Sequence, residues 1–137
     1  LIADKDPELK EVDYTFIKWN KTTEIEDLLK MHIGIMPLIH TDVQLGKCAF
    51  KAIQYMSLGI PAVVTPLGAN CEVVDNGING YWADSDAEWY DKLEKLILDK
   101  NLRVKMGEQA RRKIEDSYSV NATKNLFLNL FNPGQVL

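Results

Sequence analysis

The sequence is poor in the side chains that cross-link folds or hold metals. It has two cysteines and two histidines in 137 residues. Cys48 and Cys71 stand in no CxxC or Cys/His spacing, so they are expected as two reduced thiols, with a disulfide as the alternative. His32 and His40 likewise lack metal-ligand spacing, which predicts no metal site. Asp84-Ser-Asp86 spells a metal-binding DxD, but Ser85 suits a helix cap and its acidic neighbours suit the positive helix end. Gly46-Lys47 is not a P-loop, because position 41 is Thr and position 48 is Cys where that motif needs Gly and Ser or Thr. These 137 residues hold no run long enough to cross a bilayer and no signal peptide, but a start at Leu1 rather than Met reads as a piece of a longer protein, of whose targeting this says little. Charge of one sign is also scarce: the net charge of −4 gives no bulk attraction to nucleic acid or an anionic surface. Internal repeats and low-complexity stretches are absent.

What is present suits one globular domain over residues 1–137, since 46% of the residues are apolar. Leu1–Ala3 reads as a strand end and Asp4–Asp13 as a polar loop. Tyr14–Trp19 alternates as a strand. Thr23-Glu-Ile-Glu26 fits a capping box opening a helix to about Met31. Ile33–Met36 is a strand and Gly80–Trp82 a short one. Ser85 and Glu88 form a second capping box, for a helix to Leu98 with Trp89, Leu93, Leu96 and Ile97 inward. Asn101 caps a helix from Leu102 to Asp116. Ser119 caps a last helix carrying Leu126, Phe127, Leu130 and Phe131, ended by Asn132-Pro-Gly134. Strands alternating with helices predict an α/β fold with a doubly wound parallel sheet.

Residues 44–75 carry the chemistry. A helix is expected from Gly46–Lys47 to Gly59, whose left-handed conformation and the following Pro61 stop it. At about 100° per residue, Lys47, Lys51 and Gln54 share a face, opposite Ala49, Ala52, Ile53 and Met56. Ala62–Thr65 is a buried strand and Pro66-Leu67-Gly68 a turn, with Gly68 allowing a close backbone approach. Asn70–Val74 is a second helix. The first helix follows strand 33–36, so its start lies at the carboxyl ends of the sheet, where an open α/β fold binds ligands and a helix N-terminus draws phosphate. The bland reading of the lysines is a solvated face.

Gln54-Tyr-Met-Ser-Leu-Gly-Ile-Pro-Ala-Val-Val-Thr-Pro-Leu-Gly68 resembles the signature of family-four retaining glycosyltransferases with the GT-B fold, Glu-Ala-Met-Ala-x-Gly-x-Pro-Val-Val-Ala-x-x-x-Gly. Glu72-Val-Val-Asp-Asn-Gly-Ile-Asn-Gly80 and Leu102-Arg-Val-Lys-Met-Gly-Glu-Gln-Ala-Arg111 resemble two further family patterns, and the likeness covers most of residues 14–131. The resemblance implies the Rossmann-like, C-terminal donor-binding half of a GT-B enzyme. It implies a nucleoside diphosphate sugar as donor substrate, no cofactor and no metal, and an acceptor held by an N-terminal domain outside this chain. Nucleic acid is not an expected partner. A cytoplasmic parent, working in polysaccharide or glycoconjugate synthesis and open to association with the inner face of a membrane, fits the family.

The helix start at Lys47, Cys48, Ala49 and Phe50 is expected to hold the diphosphate through its amides, with Lys47 and Lys51 adding charge to stabilise the leaving group as catalytic cations, and Gly46 offers the donor a close backbone approach. Gln54 is expected at the ribose and Pro66–Asn70 at the pocket wall, Leu67 and Gly68 within it, with Gly68 giving room. The family carries two glutamates eight positions apart where this chain has Gly46 and Gln54. His40 or Asp42 is the candidate for the lost sugar contact. A branch with Gly-Lys-Cys-x-x-Lys at this place is similar to this chain. Two other readings remain open on the residues alone: a nucleotide-sugar epimerase of the same fold, which needs acidic and histidine groups in the cleft, and a non-enzymatic receiver-like domain, which needs an acidic cluster after its first strand.

Overall fold

A computed structural model describes residues 1–131. The chain divides into two compact units, residues 1–31 and residues 32 onward. In the first, strand β1 (Ile2–Ala3) pairs in parallel with β2 (Ile17–Lys18), and helix α1 spans Glu24–Leu28. The strand expected over Tyr14–Trp19 is thus two residues long. The capping box expected at Thr23 does not form. The Thr23 hydroxyl instead donates to Asp27 Oδ2 at 2.8 Å, so the first turn holds no side-chain cap. α1 ends at Leu28 rather than Met31, and of its apolar residues Leu28 is buried while Ile25 and Leu29 are exposed.

The second unit holds β3 (Gly34–Met36), α2 (Asp42–Leu45), α3 (Phe50–Ser57), β4 (Ala62–Val64), α4 (Asn70–Val73), β5 (Gly80–Trp82), α5 (Asp86–Leu98), α6 (Lys100–Ser117) and α7 (Val120–Asn129). The three strands make one parallel sheet in the order β3-β4-β5, with Ile35 opposite Val63 and Val63 opposite Tyr81. The central strand is buried along its whole length, as its apolar, β-branched sequence requires. Its alternate side chains feed two cores. Ala62 and Val64 join Met36, Ala52, Met56, Val73 and Ile114 on one face. Val63 joins Leu96 and Met106 on the other, with Trp89, Leu93 and Leu102 partly buried around them. The sheet is therefore covered on both sides, which is the doubly wound arrangement.

Helix α3 ends in a Schellman motif. Gly59 takes φ +73, its N–H donates to the Met56 carbonyl, and the Ile60 N–H reaches back to Tyr55. Helix α6 crosses this end at Gly107, where a Cβ would stand 2.0 Å from the Gly59 carbonyl oxygen. Two glycines thus let the backbones touch.

Other expectations shift for identifiable reasons. Helix α6 starts at Lys100, not Leu102. Asp99 rather than Asn101 caps it, accepting from the Leu102 N–H at 2.9 Å. Ile97, expected inward on α5, is 63% exposed, because Leu96 takes the core position beside it. The capping box of Ser85 and Glu88 and the cap at Ser119 both form as expected. Leu126 and Phe127 on α7, and Leu130 and Phe131 just after it, are exposed, the two phenylalanine rings meeting edge-on at 5.3 Å. The turn expected at Asn132-Pro-Gly134 lies outside the described residues.

Candidate functional site

The carboxyl ends of β3, β4 and β5 are locked together beyond the strands themselves. The Thr65 N–H donates to the Met36 carbonyl, and the Ala83 N–H to that of Val64. The buried Thr65 hydroxyl accepts from the Leu38 N–H at 2.9 Å. The Thr65 carbonyl accepts from the side-chain amide of Asn70 at 2.8 Å. Asn70 is 1% exposed, and its Oδ1 has no partner among the described residues. The sequence reads Thr65 only as strand and Asn70 only as pocket wall and helix start, since nothing in a Thr or Asn near a strand end marks it as a hub.

The segment leaving β3 does not run straight into one helix. It first forms the short α2, capped by Thr41, whose side chain accepts from the Gln44 N–H. Asp42 opens α2 and is exposed, and Gly46 is its C-cap at φ −76, a conformation open to any residue. The expected helix start at Gly46–Lys47 is therefore corrected to Phe50. Local caps decide this: Thr41 starts a turn that Gly46 ends, and the Lys47 N–H closes onto the Gln44 carbonyl. Lys47 consequently precedes α3 instead of sharing a helical face with Lys51.

Ala49, the N-cap of α3, is left-handed at φ +55, ψ +22, and wholly buried. A non-glycine residue held there is uncommon and marks a backbone constrained by its surroundings. The Ile53 N–H makes the first-turn bond to the Ala49 carbonyl, so the amides of Phe50, Lys51 and Ala52 lie where an α-helix leaves its donors open. Lys47, Cys48, Phe50 and Lys51 are exposed around this start, and Gln54 is half-buried one turn on. Ala52 and Met56 are fully buried on the other side, and Ile53 packs partly buried against the same core. The packing face agrees with the sequence pattern.

Gly68 is left-handed at φ +54, and the close approach expected of it is to the protein itself. A Cβ there would stand 2.4 Å from the Leu45 carbonyl oxygen. The Leu67–Gly68 turn thus packs on the end of α2, next to Gly46. His40 and Asp84 also meet: His40 Nε2 lies 2.6 Å from Asp84 Oδ1, with both side chains about half exposed. Asp84 follows β5, and its own N–H donates to Glu88 Oε2 within the α5 capping box. The sequence set Asp84 aside with the DxD spelling, and no local signal pairs it with a histidine 44 positions away. The structure thus gathers 42–51 and 67–68 in one region at the sheet's carboxyl ends and ties His40 to the β5 side.

The family described as glycosyl transferases group 1 matches residues 8–113. A D-inositol 3-phosphate glycosyltransferase of Corynebacterium jeikeium (strain K411) is 39% identical over 61 residues, covering 43% of this chain and 15% of that protein. Among solved structures, HepE of Anabaena in complex with UDP and glucose aligns at a TM-score of 0.72 with 15% identity, over 87% of this chain and 32% of that one. TarM of S. aureus, crystallised with UDP, alpha-GlcNAc-glycerol and fondaparinux, aligns at 0.70 with 20% identity, over 86% of this chain and 23% of that one. The chain spans less than a third of the length of the curated relatives it matches.

Proposed function

This chain belongs to the glycosyl transferases of group 1, and from that premise we propose that residues 1–137 bind the nucleoside diphosphate sugar donor of a retaining transferase. The observation that carries the reading is the start of α3. A left-handed Ala49 followed by right-handed Phe50 turns successive amides toward one side, an arrangement suited to anions. Exposed Lys47 and Lys51 stand beside it. UDP in the HepE and TarM structures supports a nucleoside diphosphate as the ligand.

In this reading the diphosphate, the leaving group of glycosyl transfer, takes up negative charge as the sugar departs. Preorganised amides of Phe50–Ala52 and two lysines stabilise that charge without rearranging, and no metal is assigned to the step. Gln54 accepts from or donates to the ribose hydroxyls through its amide. Leu67 and Gly68 wall the donor pocket, while His40 and Asp42 are the groups for the sugar. The acceptor belongs to an N-terminal domain outside this chain, so the 137 residues alone bind donor and transfer nothing. The parent's place, on this reading, is cytoplasmic synthesis of a polysaccharide or glycoconjugate, open to association with the inner face of a membrane.

Calorimetry with UDP, GDP and ADP tests the reading. Half a cleft should bind one of them with micromolar to millimolar affinity, roughly −8 to −4 kcal/mol. No heat from any of the three at millimolar concentration sinks it.

A further inference from the structure

We propose that Asp84 is a positioning residue for the donor sugar, acting through His40. The inference rests on the donor-binding reading above. The two residues leave different strands, and β4 lies between those strands in the sheet. On the β3 side, Leu38 is pinned by the Thr65 hydroxyl two residues before His40. On the β5 side, Ala83 is pinned to the Val64 carbonyl one residue before Asp84. The His40–Asp84 bond at 2.6 Å therefore bridges the end of β4, where the chain enters the Leu67–Gly68 turn.

Asp84 is a firm anchor. Its backbone is fixed twice, by the Ala83 ladder bond and by its own N–H to Glu88 Oε2. His40 sits in a loop and has more freedom. A carboxylate only accepts, so the imidazole donates through Nε2–H. In the neutral ring, Nδ1 then carries the lone pair. The pair thus presents an oriented acceptor at the carboxyl ends of the strands, on a half-exposed ring that a ligand can reach. A sugar hydroxyl is a donor that fits it. Gly46 has no side chain with which to accept from that sugar, so an acceptor delivered from the β5 side fills a need that the chain's own sequence creates.

The test uses the whole 137-residue chain, with UDP and UDP-glucose as probes, on wild type, His40→Ala, Asp84→Ala and the double variant. UDP affinity should be the same in all four. UDP-glucose should bind about fivefold more weakly to each single variant, the worth of one ordinary hydrogen bond. The double variant should be no weaker than His40→Ala, because Asp84 works only through the ring. Without ligand, the side-chain ¹⁵N signals of His40 should move in Asp84→Ala while those of His32 stay. An unmoved His40 signal overturns the pairing itself. Equal weakening of UDP and UDP-glucose, or additive losses in the double variant, overturns the positioning role. Absence of UDP binding to wild type, with the His40 shift intact, overturns the donor-binding reading and the sugar role with it.

Discussion

Gly68 and Leu45 touch backbone to backbone: the Cβ that Gly68 lacks would fall 2.4 Å from the Leu45 carbonyl oxygen. This contact joins the turn after the central strand to the short helix before α3. The first prediction is that Gly68→Ala destabilises the chain through two separable terms. The left-handed backbone costs about 1–2 kcal/mol for any residue with a Cβ. Overpacking against Leu45 adds on the order of 1–3 kcal/mol. Gly77 is also left-handed, at φ +81, but has nothing within 4 Å of a built Cβ. Gly77→Ala should therefore show the backbone term alone. Urea melts of both variants check this, and equal losses would mean the Leu45 contact gives way freely.

The second prediction separates binding from folding at α3. Lys47→Ala and Lys51→Ala should each weaken UDP binding and change stability by less than about 0.5 kcal/mol, since both side chains are exposed. Met56→Ala should cost about 2–5 kcal/mol, because Met56 is fully buried. Ile53→Ala should cost less than Met56→Ala, as Ile53 is only partly buried. Paired denaturant melts and calorimetry read both quantities. A large stability loss from either lysine variant would show that its side chain holds the fold.

Ala49 gives the third prediction. Glycine there should relieve about 1–2 kcal/mol of left-handed strain. It should also lose about 0.8 kcal/mol for the buried methyl and a similar amount through the freer unfolded chain. Ala49→Gly is therefore expected within about 1 kcal/mol of wild type. Ala49→Val should lose more than about 2 kcal/mol, since a β-branched residue fits neither the backbone angle nor the full burial. A Val variant as stable as wild type in thermal melts would show that this segment relaxes out of the left-handed region.

The fourth prediction concerns acid. The amides of Asp84 and then Ser85 donate to Glu88 and hold its carboxyl below the usual range. A folded-state pKa below the unfolded one gives stability that is present above the unfolded pKa. That stability is lost as pH falls through the folded pKa. Glu88→Gln should therefore flatten the acid limb of the stability curve below about pH 4.5, without inverting it. Ser85→Ala should cost about 0.5–2 kcal/mol at neutral pH as a lost cap. Melts from pH 3 to pH 7 check both, and an unchanged acid slope in Glu88→Gln would contradict the capping role of that carboxylate.

The sequence by itself determined the elements whose signals are local. Ser85 and Glu88 name their own helix start, Gly59 names the end of α3, and the Ala62–Val64 run can only be a covered strand. It also determined the face of α3 that packs, since Ala52 and Met56 recur at helical spacing. The family was legible too, through residues 54–80 and 102–111 taken together.

Tertiary structure decided what depends on residues far apart in the chain. At the start of α3 it added to the local caps of Thr41 and Gly46 the burial of Ala49 in the core, which holds that residue left-handed just before Phe50. It gave the close approach expected of Gly68 its partner, the Leu45 carbonyl. It exposed Ile97, because only one of two adjacent apolar residues on a helix can face Val63 and Met106. And it set His40 against Asp84, a pairing with no trace in either local sequence. Parallel strands bring their carboxyl ends to one edge however many residues separate them, and that edge is where this pair forms.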